Sequence, residues 1–226
     1  MLIKELVDYL ESIAPLEYQE SYDNSGLIVG DKNDKITNVL VSLDSTESVI
    51  DEAIEKGCNI VIAHHPIIFK GLKKLTGKNY IERTIIKAIK NDIAIYACHT
   101  NLDNITGGVS FKMELVNDLQ IVGSGAIGIL EKPLAAKEFL SFLKTNMAVS
   151  VIKHTNILSE TIQRVALCGG SGGFLLNNAI AAKADIFITS DYKYHEYFDA
   201  DKKIVIADIG HYESEQFTKE LIRDEI

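Results

Sequence analysis

The 226-residue chain lacks a long hydrophobic run. Its N-terminal apolar stretch, Met1 to Leu16, is interrupted by Lys4, Glu5, Asp8 and Glu11. That leaves neither the apolar segment of a secretory signal nor the ~20 apolar residues of a membrane span. Leu2, Leu6, Leu10 and Ile13 recur there at helical spacing, so an amphipathic helix packed on a core is expected instead. Cysteine is scarce: Cys58, Cys98 and Cys168 form an odd set with no CxxC spacing. A disulfide framework is excluded, and buried reduced thiols in a cytoplasmic protein are expected. Positive charge is in deficit too. With a formal charge of −9 and scattered lysines and arginines, no basic face is available for a phosphate backbone, so nucleic acid is not expected as a partner. One stretch departs from this. In Phe69 to Lys78, the residues Lys70, Lys73, Lys74 and Lys78 follow a histidine pair directly, and such a loop either draws in a small anion or is simply solvated. Low-complexity segments and short-period repeats are missing, and the two halves are too little alike to argue duplication.

What is present is an alternation. Short β-branched runs (Val39 to Leu43, Asn59 to Ala63, Ile93 to Cys98, Arg164 to Leu167, Asp185 to Thr189, Ile204 to Ala207) are separated by helical patterns. These lie at Glu47 to Lys56, Tyr80 to Lys90, Gly173 to Lys183 and Glu213 to Arg223, with Ser45 or Thr46 as N-cap of the first. This order predicts an α/β protein with largely parallel sheets. Gly123, Gly125 and Gly128 punctuate the middle, and a fresh pattern begins near Glu131. Two α/β domains are therefore expected, 1–124 and 125–226.

The chemistry follows from where the histidines fall. Of the six, five come after a predicted strand end: His64, His65, His99, His195 and His211. In an open parallel sheet the carboxyl ends of the strands lie along one edge, where ligands bind, so residues remote in sequence converge there. Adjacent side chains point to opposite faces of a regular strand. Pro66, however, holds His65 extended and favours ending the strand, which lets the two imidazoles fan out towards two neighbouring cations. Asp103, past another strand, is a carboxylate able to bridge two cations. His99 and Asn101 beside it would either orient ligands or contact substrate. His211 and Glu215 are four apart at the start of the last helix and share one face, a spacing that lets both reach one cation. The loop Gly169, Gly170, Ser171, Gly172, Gly173 follows a strand and precedes a helix. Its N–H groups would either cradle an anionic group or serve tight packing. His195, with Glu196 beside it, is the candidate general acid or base, because imidazole titrates near neutrality.

An ordered series of motifs now resembles a known family. It runs through Tyr22, Asp23, Asn24, Ser25, Gly26, Leu27, Val29 and Gly30, then Leu43, Asp44, His64, His65, Pro66, His99, Thr100, Asn101 and Asp103. It continues through Gly107, Gly108, Val109, the glycine loop, Asp191 to His195, and Gly210, His211, Ser214, Glu215. The chain is similar to the GTP cyclohydrolase 1 type 2 homologs, also called Nif-three-like dinuclear metal centre hexameric proteins. It resembles their short form, without an inserted domain. The resemblance implies two divalent cations (Zn, Fe, Mn or Mg) on His64, His65, Asp103, His211 and Glu215. It also implies a metal cleft between two α/β domains, with the C-terminal His211/Glu215 segment returning to that cleft, and a toroidal homohexamer. It further implies a small-molecule substrate, with GTP the favoured one, opened by water at C8 of the guanine, with Lys70 or the glycine loop holding the triphosphate. The resemblance equally accommodates a noncatalytic metal-delivery hexamer, and a two-metal nucleotide phosphoesterase remains open beside them. Two departures stand out. Tyr22 replaces the usual Trp, and Ser110, Phe111 and Lys112 replace the usual Asn and Asp after Val109.

Overall fold

The computed structural model describes residues 1–112, 117–122 and 124–226. Two compact units emerge, one of Met1–Ile105 with Thr218–Ile226, the other of Thr106–Phe217.

In the first unit the predicted N-terminal helix is α1 (Ile3–Ile13), which buries Ile3, Leu6 and Leu10. Strands β1 (Gly26–Val29), β2 (Val39–Ser42), β3 (Ile60–Ala63) and β4 (Ala94–Ala97) form one sheet in the order β1-β4-β3-β2. β2, β3 and β4 run parallel in matched register, Ser42 beside Ala63 and Ala63 beside Ala97, while β1 adds an antiparallel edge. One face, with Val61 and Ile95, packs on α2 (Glu47–Glu55) and α3 (Tyr80–Lys90) through Ile50, Ala53, Ile85 and Ala88. The opposite face carries Ile60, Ile62 and Tyr96, also fully buried. Burial of both faces is why these strands read as unbroken apolar runs. Thr46 caps α2 by accepting the Val49 N–H at 3.3 Å, as one of the two expected caps. Asn79 caps α3, and the Glu82 carboxylate accepts the N–H groups of Thr76 and Lys78 at 2.8 and 3.1 Å, fastening the end of the lysine loop to the helix start.

The second unit contains a short helix α5 (Val109–Lys112), numbered after a single turn α4 (Thr100–Asp103) that closes the first unit's main segment. Its sheet runs β5 (Asn117–Val122), β6 (Gly125–Ala135), β8 (Thr161–Leu167), β9 (Ile186–Thr189), β10 (Val205–Asp208) and β7 (Lys153–His154). The centre β8-β9-β10 is parallel as expected, and the flanking pairings are antiparallel. Helix α6 (Ala136–Asn146) covers one face with Phe139 and Leu143, and α7 (Leu176–Ala181) covers the other with Leu176 and Ala179.

Four expectations are corrected. The division falls at Ile105 and Phe217, not at 124, because β5 pairs with β6 inside the second unit and the last helix rejoins the first. Of the three glycines read as punctuation, Gly123 lies outside the described residues, and Gly125 and Gly128 sit within β6. The single helix expected over Glu213 to Arg223 is two, α8 (His211–Glu215) and α9 (Thr218–Glu225). Gln216 breaks it by donating its amide to the Met147 and Glu213 carbonyls, and Phe217 packs into the second unit's core. The helix expected over Gly173 to Lys183 opens with a tight 3₁₀ turn, Gly173–Leu175, before α7. No helix among the described residues is long and apolar enough to cross a membrane.

Candidate metal centre

The register of β2, β3 and β4 aligns their carboxyl ends, so the residues just beyond each meet: Asp44 after β2, His64 and His65 after β3, His99 after β4. β1 enters antiparallel with Gly26 beside Ala97, which brings Asp23 to the same edge. His64 and His65 no longer alternate once the strand has ended. Their ring centroids are 4.9 Å apart, and His99 lies 5.2 and 5.4 Å from them. Among the described residues, His64, His65 and His99 offer ring nitrogens that all lie within 4.8 Å of one another. The single turn α4 carries Asp103 round so that its Oδ1 stands 3.8 Å from His64 Nε2.

Each imidazole is held by the same nitrogen. His64 Nδ1 donates to the Cys98 carbonyl at 2.8 Å, His65 Nδ1 to Asp44 Oδ1 at 2.9 Å, and His99 Nδ1 to Asp23 Oδ1 at 2.8 Å. A carbonyl or an ionised carboxylate can only accept, so the proton sits on Nδ1 and the lone pair falls on Nε2. This is the arrangement of ligating histidines, whose other N–H is fixed by a carbonyl or carboxylate. Asp23 also receives the Thr100 N–H at 3.0 Å, the Thr100 and Ser25 hydroxyls and the Asn24 N–H. Burial works to raise its carboxyl, but the bonds from His99 and Thr100 outweigh this and hold it well below the usual carboxylate range. Burial pushes the Cys98 thiol up to about 12, and all three cysteines are buried thiols outside any disulfide, as expected.

The second unit repeats the construction. Leu167, Ile188 and Ala207 align β8, β9 and β10, so the glycine loop, Asp191 and His211 follow on one edge. α8 opens at Gly210, whose φ of 93° and close contact with the Glu213 carboxylate suit a residue without a side chain. Asp208 Oδ1 accepts the Gly210 N–H at 3.0 Å, and its Oδ2 accepts the Tyr192 N–H and the Tyr197 hydroxyl, each at 3.2 Å. His211 Nδ1 meets Asp191 Oδ2 at 2.6 Å, and its Nε2 meets the buried Glu215 Oε2 at 3.0 Å. The Glu215 hydrogen bond, opposed by burial and reinforced by Asp191, pushes the imidazole up to about 9. Asp191 itself adopts φ 62°, a conformation uncommon outside glycine.

Other candidates fall elsewhere. Asn101 is fully buried, its Oδ1 accepting the His99 N–H at 2.9 Å and its Nδ2 donating to the Ala14 carbonyl at 2.7 Å. With both ends committed it braces the His99 turn. In the glycine loop, Gly170 N–H donates to the Ser214 hydroxyl and Gly172 N–H to the Thr189 hydroxyl, at 2.9 and 2.8 Å. A Cβ on Gly170 would run into Glu215 Oε1. The loop therefore serves close packing against the His211–Glu215 turn, with Ser171 exposed at its tip. His195 is exposed, with Tyr194 and Phe198 as ring neighbours, and the Glu196 carboxylate accepts the Lys193 N–H at 2.9 Å. Lys70, Lys73, Lys74 and Lys78 are all exposed. The residues missed by sequence reasoning are the carboxylates behind the histidines: Asp23, Asp44 and Asp191. Their signal was present, since each lies in a motif that carried the resemblance.

Fold and site together define an α/β protein whose two units each end their parallel strands in a histidine-carboxylate cluster suited to divalent first-row cations. The Duf34/NIF3 (NGG1p interacting factor 3) family model matches residues 1–226, and the chain belongs to that family. It is 35% identical over 230 residues to a GTP cyclohydrolase 1 type 2 homolog of Clostridium perfringens, covering 95% of this chain and 87% of that one. It is 36% identical to a protein of the same name from Lactococcus lactis, covering 100% and 91%. Among solved structures, Staphylococcus aureus protein SA1388 superposes with a TM-score of 0.93 at 28% identity, covering 100% of this chain and 92% of that one. Reduced HcgD from Methanocaldococcus jannaschii gives 0.85 at 26% identity, covering 99% and 92%.

Proposed function

We propose that the protein holds two divalent cations through His64, His65, Asp103, His211 and Glu215 and uses them to hydrolyse a nucleotide, with ring opening of GTP as the favoured reaction. The observation that carries this is the uniform engagement of Nδ1 on His64, His65, His99 and His211 by a carbonyl or carboxylate. Imidazoles anchored through Nδ1 and presenting Nε2 favour metal ligation over general acid–base work, which needs a proton that moves. The assignment to GTP rests on the family resemblance and on the name that the relatives carry.

When bound, divalent cations supply Lewis acidity towards water and substrate oxygens. The chain's own residues do the rest. Asp44 and Asp191 fix the His65 and His211 rings so that binding a cation requires no side-chain search, and Asp23 fixes His99 beside them. Asp103 and Glu215 add negative charge that offsets the cations. Lys70, Lys73 and Lys74 lie directly after the His64/His65 pair in sequence and would attract the triphosphate despite the chain's net charge of −9.

The test is elemental analysis of the purified protein beside Asp103→Ala and His211→Ala, followed by incubation with GTP under each metal found. Near-stoichiometric metal that falls in both variants, with formate released from GTP, is the expected result. Phosphate release without formate would reassign the reaction to phosphoester hydrolysis. Full metal occupancy with no turnover would leave a metal carrier, and a wild type that takes up no metal would overturn the reading.

A further inference from the structure

The second unit carries a cavity of about 490 Å³ that the histidine clusters do not use. This lies within the range of small-molecule sites, ~300–1,000 Å³. Its floor includes Ile204 and Tyr197, the latter fixed by its hydroxyl bond to Asp208 and by Tyr192, whose ring centroid is 5.3 Å away. One wall is formed by Tyr194 and Phe198, set edge to face with centroids 5.4 Å apart and left 75% and 64% exposed. Beside the cavity runs the sheet-edge strand β7, whose His154 contributes to the lining, as does Asn156 just beyond the strand's end. Lys202 also lines it, held at φ 57°, and the carboxylate of Asp201 is drawn to Lys203 at 2.7 Å.

Two large rings standing this far into water are an apolar surface without a cover, and their faces suit a flat ring better than a branched chain. The charge is equally specific. In a chain of formal charge −9, the one acidic residue of this lining, Asp201, is paired with Lys203 and also feels Lys202, so two ammonium groups meet one carboxylate there, and Lys153 precedes His154 in sequence. We propose that the cavity binds a small flat aromatic molecule bearing an anionic group, its ring against Tyr194 and Phe198 and its anion towards Lys202. Asn156 and His154 supply hydrogen-bonding groups for the ring's edge. This site is independent of the metal-dependent reading above.

The test titrates the full metal-loaded chain with three probes, indole-3-carboxylate, indole and acetate, by calorimetry and ligand-observed NMR. The expected result is that indole-3-carboxylate binds best and that Phe198→Ala weakens it about ten-fold, the size of a lost aromatic stack. Lys202→Ala should bring its affinity down to that of indole. Because Phe198 and Lys202 are both exposed, neither change threatens the fold. His211→Ala should leave the affinity unchanged. Absence of binding overturns the proposal, as does binding that ignores Phe198→Ala. Loss of binding in His211→Ala would overturn it by assigning the anion to the metal cluster. Sedimentation at several protein concentrations closes the remaining route: if Phe198→Ala dissociates an assembly that fails to bind the probe, a second copy covers the aromatic wall and the proposal falls.

Discussion

Asp23 touches no metal-ligating atom, yet it gathers the His99 ring, the Thr100 N–H and two hydroxyls onto one carboxylate. Asp23→Asn keeps the size and removes the charge that holds the His99 proton on Nδ1. His99 packs against the His64 and His65 rings, so metal affinity should fall ~10–100-fold, as for other groups that orient ligands, while the fold persists. Competition with a chromogenic chelator would measure it, and an unchanged affinity would mean that His99 needs no such brace. His211 makes a second prediction. Its folded value, about 9, lies above its ordinary 6.5. The ion pairs with Glu215 and Asp191 therefore stabilise the metal-free chain fully below pH 6.5, and this contribution is lost as pH rises through 9. In chelator-treated protein, the stability gap between wild type and His211→Gln should narrow between pH 7 and pH 10 in urea unfolding. Metal uptake should rise over the same interval, because the proton and the cation compete for Nε2. The proposed ligands are legible in the sequence because several histidines fall just past strand ends. Asp23, Asp44 and Asp191 were not singled out as partners, because an aspartate in a turn looks like any turn former until the register of four strands brings it to a histidine.

The central parallel strands could be read almost residue for residue, since burial on both faces forces continuous β-branched runs. β1 and β7 could not, being short edge strands with polar or half-exposed positions. The break between α8 and α9 is hidden for a different reason. The helical pattern continues across it, and only the Gln216 amide and the placement of Phe217 reveal that the two helices belong to different units. The glycine loop was read with two meanings, and its packing role follows from hydrogen bonds that no spacing encodes. Gly170→Ala tests that role: its φ of 61° and the contact with Glu215 both oppose a methyl group. The variant should lose about 1–3 kcal/mol in urea unfolding and bind less metal at the His211 cluster. A variant as stable and as metal-replete as wild type would return the loop to the list of ligand cradles.

At the scale of the molecule, the first unit is discontinuous. The chain leaves it at Ile105 and returns only at Thr218, where α9 packs on β2 and buries Thr218 and Ile222. Stopping the chain after Phe217 should therefore weaken the first unit selectively. Amide exchange in β2 and β3 should accelerate at least ten-fold, while β9 and β10 keep their protection, because local opening follows local packing. Equal loss in both would show that α9 supports the whole chain. The sequence hides this closure because helical periodicity says nothing of which sheet a helix will cover.

Synthesis on the ribosome gives that return a cost in time. At ~5–20 residues per second, an emerging chain waits on the order of ten seconds between the completion of β4 and the arrival of α9. During that interval the inserted unit can close first, while the earlier-made unit stands with its β2 strand uncovered. The part translated first is thus the part finished last. It is there, in the nascent chain, that a chaperone would have most to protect.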